Sequence, residues 1–174
     1  MNPRFDWLRS PRLLLLSSLI SVAFLGGAFY LQFVENEAPC PLCILQRYAH
    51  LLIGLFALIG AIVRHRRLNL ALHILTLLAT VGGIAAAARH IWLLKHPFFS
   101  CGFDVLRPIV DNLPLAWILP SAFTVSRLCE VPYVPILGLS LSSWSLIGYL
   151  LILVLISISF FLSYRLGSAT KSSL

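Results

Sequence analysis

The sequence predicts an all-α membrane protein: a bundle of four transmembrane helices with a long outer loop between the third and the fourth. Three observations carry that expectation. Hydrophobic residues make up 59% of the 174 residues and charged residues only 11%, against roughly 25% charged in an ordinary globular domain. Mean hydropathy is +0.93, more apolar surface than a soluble chain of this size can bury and far too apolar for a disordered one. Charge is also excluded from four stretches, each close to the ~20 residues that cross a hydrocarbon core as helix.

The first stretch covers residues 13–34, between Arg12 and Glu35. It is longer than the roughly 7–15 residues of a signal-peptide core and no small-x-small cleavage pattern follows, so a retained helix is expected. The second, residues 42–63, is interrupted by Arg47 alone. The third, residues 68–88, lies between Arg67 and Arg89 and repeats Ala79, Gly83 and Ala87 at four-residue spacing, small side chains that let helices approach closely. The fourth, residues 142–164, ends at Arg165. As helices, all four satisfy their backbone donors internally, which lipid demands. Together they make a single membrane domain over residues 1–174. The outer loop, residues 89–141, carries Pro97, Pro108, Pro114, Pro120, Pro132 and Pro135, which oppose long helices. Apolar pieces at 115–119 and 136–139 are expected along the surface of the lipid bilayer.

A net charge of +7 would raise nucleic-acid binding in a soluble protein. Here the basic residues are scattered through an apolar chain with no basic run interleaved with aromatics, so nucleic acid is not expected as a partner and the charge is read as topology. Arg4, Arg9 and Arg12, then Arg64, Arg66 and Arg67, then Arg165 and Lys171 flank the spans on one side, opposed by Asp6 alone. The link between the first two spans holds Glu35 and Glu37 and no basic residue. Both termini are therefore expected in the cytoplasm, and both cysteine-bearing segments outside.

The four cysteines, Cys40, Cys43, Cys101 and Cys129, all fall on that outer side, where disulfides persist. In Cys40-Pro41-Leu42-Cys43 the proline suits a first helical position, making Cys40 the N-cap and putting Cys43 in the first turn. Unpaired N–H groups and the helix dipole favour a thiolate there, the reactive form in disulfide exchange. Arg47 follows Cys43 by one turn on the same face, a cation just inside the apolar zone; it either snorkels to the interface or meets an electron-rich group such as a carbonyl oxygen. A structural zinc site would want a second close pair, which Cys101 and Cys129 do not form. Covalent haem attachment would want a histidine where Ile44 stands. Inert structural disulfides remain the serious alternative.

These features resemble the DsbB family, quinone-linked disulfide bond formation proteins of the bacterial inner membrane. The resemblance runs from the first span to the fourth: Pro39-Cys40-Pro41-Leu42-Cys43 with Arg47, Cys101-Gly102-Phe103, Leu113-Pro114-Leu115, Pro120-x-x-Phe123, Cys129, and Leu137-Gly138-Leu139 followed by Trp144. Relatives often carry Gly-Asp before the last cysteine, where this chain has Arg127-Leu128. A second quinone-linked tetraspan family, similar to vitamin K epoxide reductase, puts its Cys-x-x-Cys in the last span. The resemblance implies Cys101–Cys129 as the second pair and all four cysteines as catalytic. A periplasmic DsbA-like oxidase of thioredoxin fold would attack at Cys101. The loop pair would be reoxidised through Cys40, and Cys43 would pass electrons to the membrane quinone pool, ubiquinone or menaquinone. Arg47 and His90 would touch the quinone. His50, on the Cys43 face, is expected as a packed, hydrogen-bonded histidine, and His73 as a helix contact. The competing reading is a non-catalytic tetraspan assembly protein whose outer loop is stapled by disulfides.

Overall fold

A computed structural model describes residues 3–63, 65–96, 98–99, 103–129, 131, 133 and 135–169. Four long helices, α1 (Pro3–Phe33), α2 (Pro41–Ile62), α3 (Arg66–Lys95) and α7 (Leu141–Ala169), carry candidate membrane spans at Pro11–Phe33, Pro41–Ile62, Arg66–Lys95 and Leu141–Ser163. Three short ones, α4 (Phe103–Asp111), α5 (Pro114–Ile118) and α6 (Pro120–Phe123), occupy the loop before α7. The links α1–α2 and α2–α3 are too short for anything but antiparallel neighbours. α1 packs on α2 and α7, and α3 packs on the same two, closing a four-helix ring.

Large apolar side chains on the outward faces, such as Leu19, Leu78 and Val154, are more than half exposed, the surface a bilayer covers. Inside, Ala49 and Ile53 of α2, Ala87 of α3, and Tyr149, Ile152 and Ile156 of α7 form one buried cluster. The small-residue stripe on α3 does what its spacing suggests at Gly83, where any Cβ would overlap the Tyr149 ring. Polar side chains are paired across helices: Ser18 donates to the Gly54 carbonyl at 2.9 Å and Tyr149 to that of Gln46 at 2.8 Å, while His73 Nε2 meets Ser159 Oγ at 3.1 Å.

The charge-free stretch of the third span stops at Ala88, but the helix continues to Lys95, so the expected loop start at residue 89 falls inside α3. Arg89 does not end the helix because its guanidinium lies over the Trp92 ring, 4.6 Å from the centroid, one turn on at the membrane edge. Between α3 and α7 the described residues form only short helices, each of the last two opened by a proline. Their apolar face, with Val110, Ala116, Phe123 and Val125, packs onto Ile44 at the N-terminal end of α2. Just before α7 the chain turns through Leu137 and Gly138, both at positive φ (53° and 79°), and Trp144 Nε1 fixes the turn by donating to the Ile136 carbonyl at 3.0 Å.

Candidate redox site

The first turn of α2 sets the site. Cys40 is the N-cap with extended backbone, Pro41 follows at the first helical position, and the Cys43 N–H donates to Cys40 Sγ at 3.2 Å. One turn brings the two cysteine Cα atoms to 5.0 Å, and the sulfurs are bonded to each other. Their surroundings differ. Cys40 is fully buried in a cluster with Leu42, Leu93 and Cys129. Cys43 is partly exposed and lines a cavity of about 480 Å³ between α1, α2 and the start of α7.

That cavity is walled by apolar groups of α1, among them Phe24 and Leu31, and by a polar stripe of α2: Cys43, Gln46, Arg47 and His50. The stripe follows the i, i+3, i+4, i+7 spacing of one helix face. Arg47 is only 6% exposed and does not snorkel. Its Nη1 donates to Gln32 Oε1 and to the Ala122 carbonyl, its Nη2 to the Ala28 carbonyl at 3.3 Å, and its guanidinium lies 5.4 Å from the Phe29 ring centroid. It thus ties α1, α2 and α6 together. The imidazole of His50 is sandwiched between Phe24 and Tyr149, with centroids at 5.2 and 4.2 Å. Its Nε2 is 3.4 Å from Ser145 Oγ, while its Nδ1 and the side-chain nitrogen of Gln46 are buried without a hydrogen-bond partner.

His90 of α3 is fully buried behind the disulfide. Its Nε2 is 3.9 Å from Cys40 Sγ, and its Nδ1 is 3.9 Å from Cys43 Sγ and 2.6 Å from Ser142 Oγ. It touches the sulfurs but is not among the residues lining the cavity. Cys40, Cys43 and His90 converge closely enough to suggest a metal cluster, yet sulfurs bonded to one another do not offer the thiolates a metal needs. Cys129 is fully buried beside Cys40. Cys101 lies outside the described residues, as does any bond it makes. The structure therefore brings together Cys40, Cys43, Cys129, Arg47 and His90.

One neighbour had no sequence signature. Tyr133, from the loop, donates its hydroxyl to the Ala38 carbonyl at 2.8 Å, and the same oxygen stands 3.3 Å from Cys43 Sγ. Burial pushes the phenol up to about 12, against the opposing pull of Arg127, Arg47 and a hydrogen bond from the Cys40 backbone. Arg127 pairs with Glu37 and lies 4.8 Å from the Tyr133 ring centroid.

Residues 10–159 match the family described as Disulfide bond formation protein DsbB. The chain belongs to the DsbB family. Among the DsbB relatives, Disulfide bond formation protein B 1 of Pseudomonas syringae pv. syringae is 55% identical over 148 residues, 85% of this chain and 88% of the relative. Disulfide bond formation protein B of Pseudomonas syringae pv. tomato is 50% identical over 155 residues, 89% and 92% of the two chains. That of Burkholderia ambifaria is 48% identical over 151 residues, 87% and 89%. A role in disulfide bond formation follows, as a multi-pass membrane protein of the DsbB type whose Cys40–Cys43 pair is a redox-active disulfide candidate.

Proposed function

We propose that this protein is a thiol:quinone oxidoreductase of the bacterial inner membrane, with both termini cytoplasmic, that reoxidises a periplasmic DsbA-like thioredoxin-fold oxidase. The observation that carries this reading is the split environment of one disulfide: Cys40 packs with the loop cysteine Cys129, and Cys43 faces the membrane cavity. The exchange steps follow from that split. A partner thiolate attacks Cys101 of a Cys101–Cys129 disulfide, and the electron pair leaves on Cys129. Cys129 sits beside Cys40 and attacks it; the Cys40–Cys43 bond breaks, and its electron pair leaves on Cys43, at the cavity wall. Each step exchanges one S–S bond for another and needs no added oxidant.

The cavity suits a quinone head. Its wall is mainly apolar, its volume lies in the range of small-molecule sites, and two buried nitrogens on it, Gln46 Nε2 and His50 Nδ1, have no hydrogen-bond partner. Ubiquinone or menaquinone, when bound, supplies an acceptor for two electrons and two protons. Gln46, Arg47 and His50 are the polar groups of this chain that would hold it, and Arg47 keeps a permanent positive charge at the wall. His90, in contact with both sulfurs and with Ser142, orients the disulfide from behind.

The test is a coupled assay of purified protein with a reduced thioredoxin-fold donor and ubiquinone. Quinone reduction in step with donor oxidation is expected, abolished by Cys43→Ser. Donor oxidation without quinone reduction, or cysteines whose redox state ignores quinone supply, would leave only a disulfide-stapled assembly protein.

A further inference from the structure

We propose that Tyr133 is a catalytic residue: its phenol holds the thiolate that Cys43 becomes when the Cys40–Cys43 bond opens. The exchange step itself is the one described above and rests on that reading. In the resting protein the Tyr133 O–H is given to the Ala38 carbonyl at 2.8 Å, while Cys43 Sγ waits at 3.3 Å from the same oxygen. A disulfide sulfur is a weak acceptor and does not compete with a carbonyl. A thiolate is a charged one and does. When a sulfur arrives at Cys40, a new S–S bond forms there, the old one breaks, and the electron pair stays on Cys43 Sγ. The O–H then turns from Ala38 to that sulfur by rotation about the C–O bond. The proton stays on Tyr133, and the phenol reaches the sulfur by turning its O–H alone.

The other donors near this spot are wholly or partly committed elsewhere. The Cys43 N–H points to Cys40 Sγ. His90 Nδ1 is engaged with Ser142 at 2.6 Å and stands 3.9 Å from Cys43 Sγ. Arg47 donates three of its five N–H groups to Gln32, Ala122 and Ala28. Of the groups that contact Cys43 Sγ from other elements, Tyr133 at 3.3 Å stands nearer than His90 at 3.9 Å. It is also held in place rather than loose: its hydroxyl is bonded to the Ala38 carbonyl, and Arg127, paired with Glu37, lies over its ring. A buried phenol whose ionisation is pushed up to about 12 remains a donor at every working pH.

The experiment uses the full chain, purified and reconstituted in quinone-free lipid vesicles, with Cys40→Ser, Cys101→Ser and Cys129→Ser, so that Cys43 is the sole thiol, and follows its alkylation by N-ethylmaleimide against pH. A hydrogen bond to a charged acceptor changes the thiolate population about tenfold. A more basic thiolate is in turn about threefold more nucleophilic. Adding Tyr133→Phe should therefore slow alkylation about threefold at neutral pH and speed it about threefold on the alkaline plateau, so that the two profiles cross. A ring-fluorinated tyrosine at position 133, a stronger donor, should move both limbs the opposite way, which a loosened fold cannot do. Profiles that superimpose, or that shift in parallel without crossing, overturn the proposal. No quinone or partner enters the measurement, so its failure leaves the exchange reading standing. Failure of quinone reduction, conversely, leaves this result interpretable.

Discussion

Arg47 is the residue whose replacement the structure lets us weigh. Arg47→Ala removes the donor from three acceptors at once: Gln32 Oε1, the Ala28 carbonyl of α1 and the Ala122 carbonyl of α6. Hydrogen bonds between membrane helices average about 0.6 kcal/mol and reach about 1.7 kcal/mol, so three such losses come to about 2–5 kcal/mol. For a chain of this length that is a fall in Tm on the order of 5–15 °C. Arg47→Lys keeps the charge but not the planar fork and reaches fewer of the three acceptors, so about half that loss is expected. Thermal unfolding of the detergent-purified variants gives the stability, and the apparent KM for quinone, measured below the lowest Tm, gives the role at the cavity. KM should rise modestly in Arg47→Lys and further in Arg47→Ala, while exchange with the soluble thiol partner is largely spared. An Ala variant that melts within a degree or two of the parent refutes the clamp, and one with unchanged KM removes Arg47 from the quinone site.

Cys43→Ser should abolish quinone reduction, whereas Cys101→Ser should stop oxidation of the soluble partner and leave quinone binding intact; equal loss of quinone binding in both would break that division. Gly83→Ala pushes a methyl into the Tyr149 ring, which is pinned by its bond to Gln46 and its stack on His50, and should cost about 1–3 kcal/mol; a neutral effect on Tm would mean that the α3–α7 contact is softer than drawn. Single-cysteine labels near Asp111 should react from outside intact cells and labels near Arg66 should not; the reverse pattern overturns the orientation. The Tyr133 phenol titrates near 10.0 when exposed and about 12 when folded, so the folded state keeps a proton that the unfolded chain has lost. Its contribution is complete below pH 10 and is lost as pH rises toward 12; alkaline denaturation of Tyr133→Phe should lack that component.

The four spans were legible because lipid imposes a simple rule: charge stays out of about twenty residues at a time. The rule marks where charge begins and not where a helix stops: α1 starts at Pro3, α3 runs to Lys95 and α7 to Ala169, and at the end of α3 a guanidinium rests on Trp92 without breaking the helix. Cys40, Cys43 and Arg47 were legible because their chemistry lies within two turns of one helix. His90 was found by its level in the membrane, but its place behind the sulfurs rather than on the cavity wall depends on how α3 rotates against α2. Tyr133 could not be found. It reaches Cys43 from ninety positions along the chain, through a loop with no periodicity, and a lone tyrosine there looks like any interfacial aromatic. The Arg127 departure acquires meaning only beside Glu37 and the Tyr133 ring.

The outer loop is moored to the bundle through groups that every amino acid shares. Arg47 and Gln32 grip the carbonyls of Ala122 and Ser121, the Tyr48 hydroxyl takes the Leu115 N–H, and the Ser126 N–H reaches the Pro39 carbonyl. Main-chain anchors survive substitution of the side chains they hold. The outward positions between them, such as Trp117 and Ile118 at 75% and 70% exposure, can therefore change without loosening the loop. The disulfide beneath keeps its register throughout. Variability and fixed geometry are separated by a few ångströms, on opposite sides of the same peptide planes.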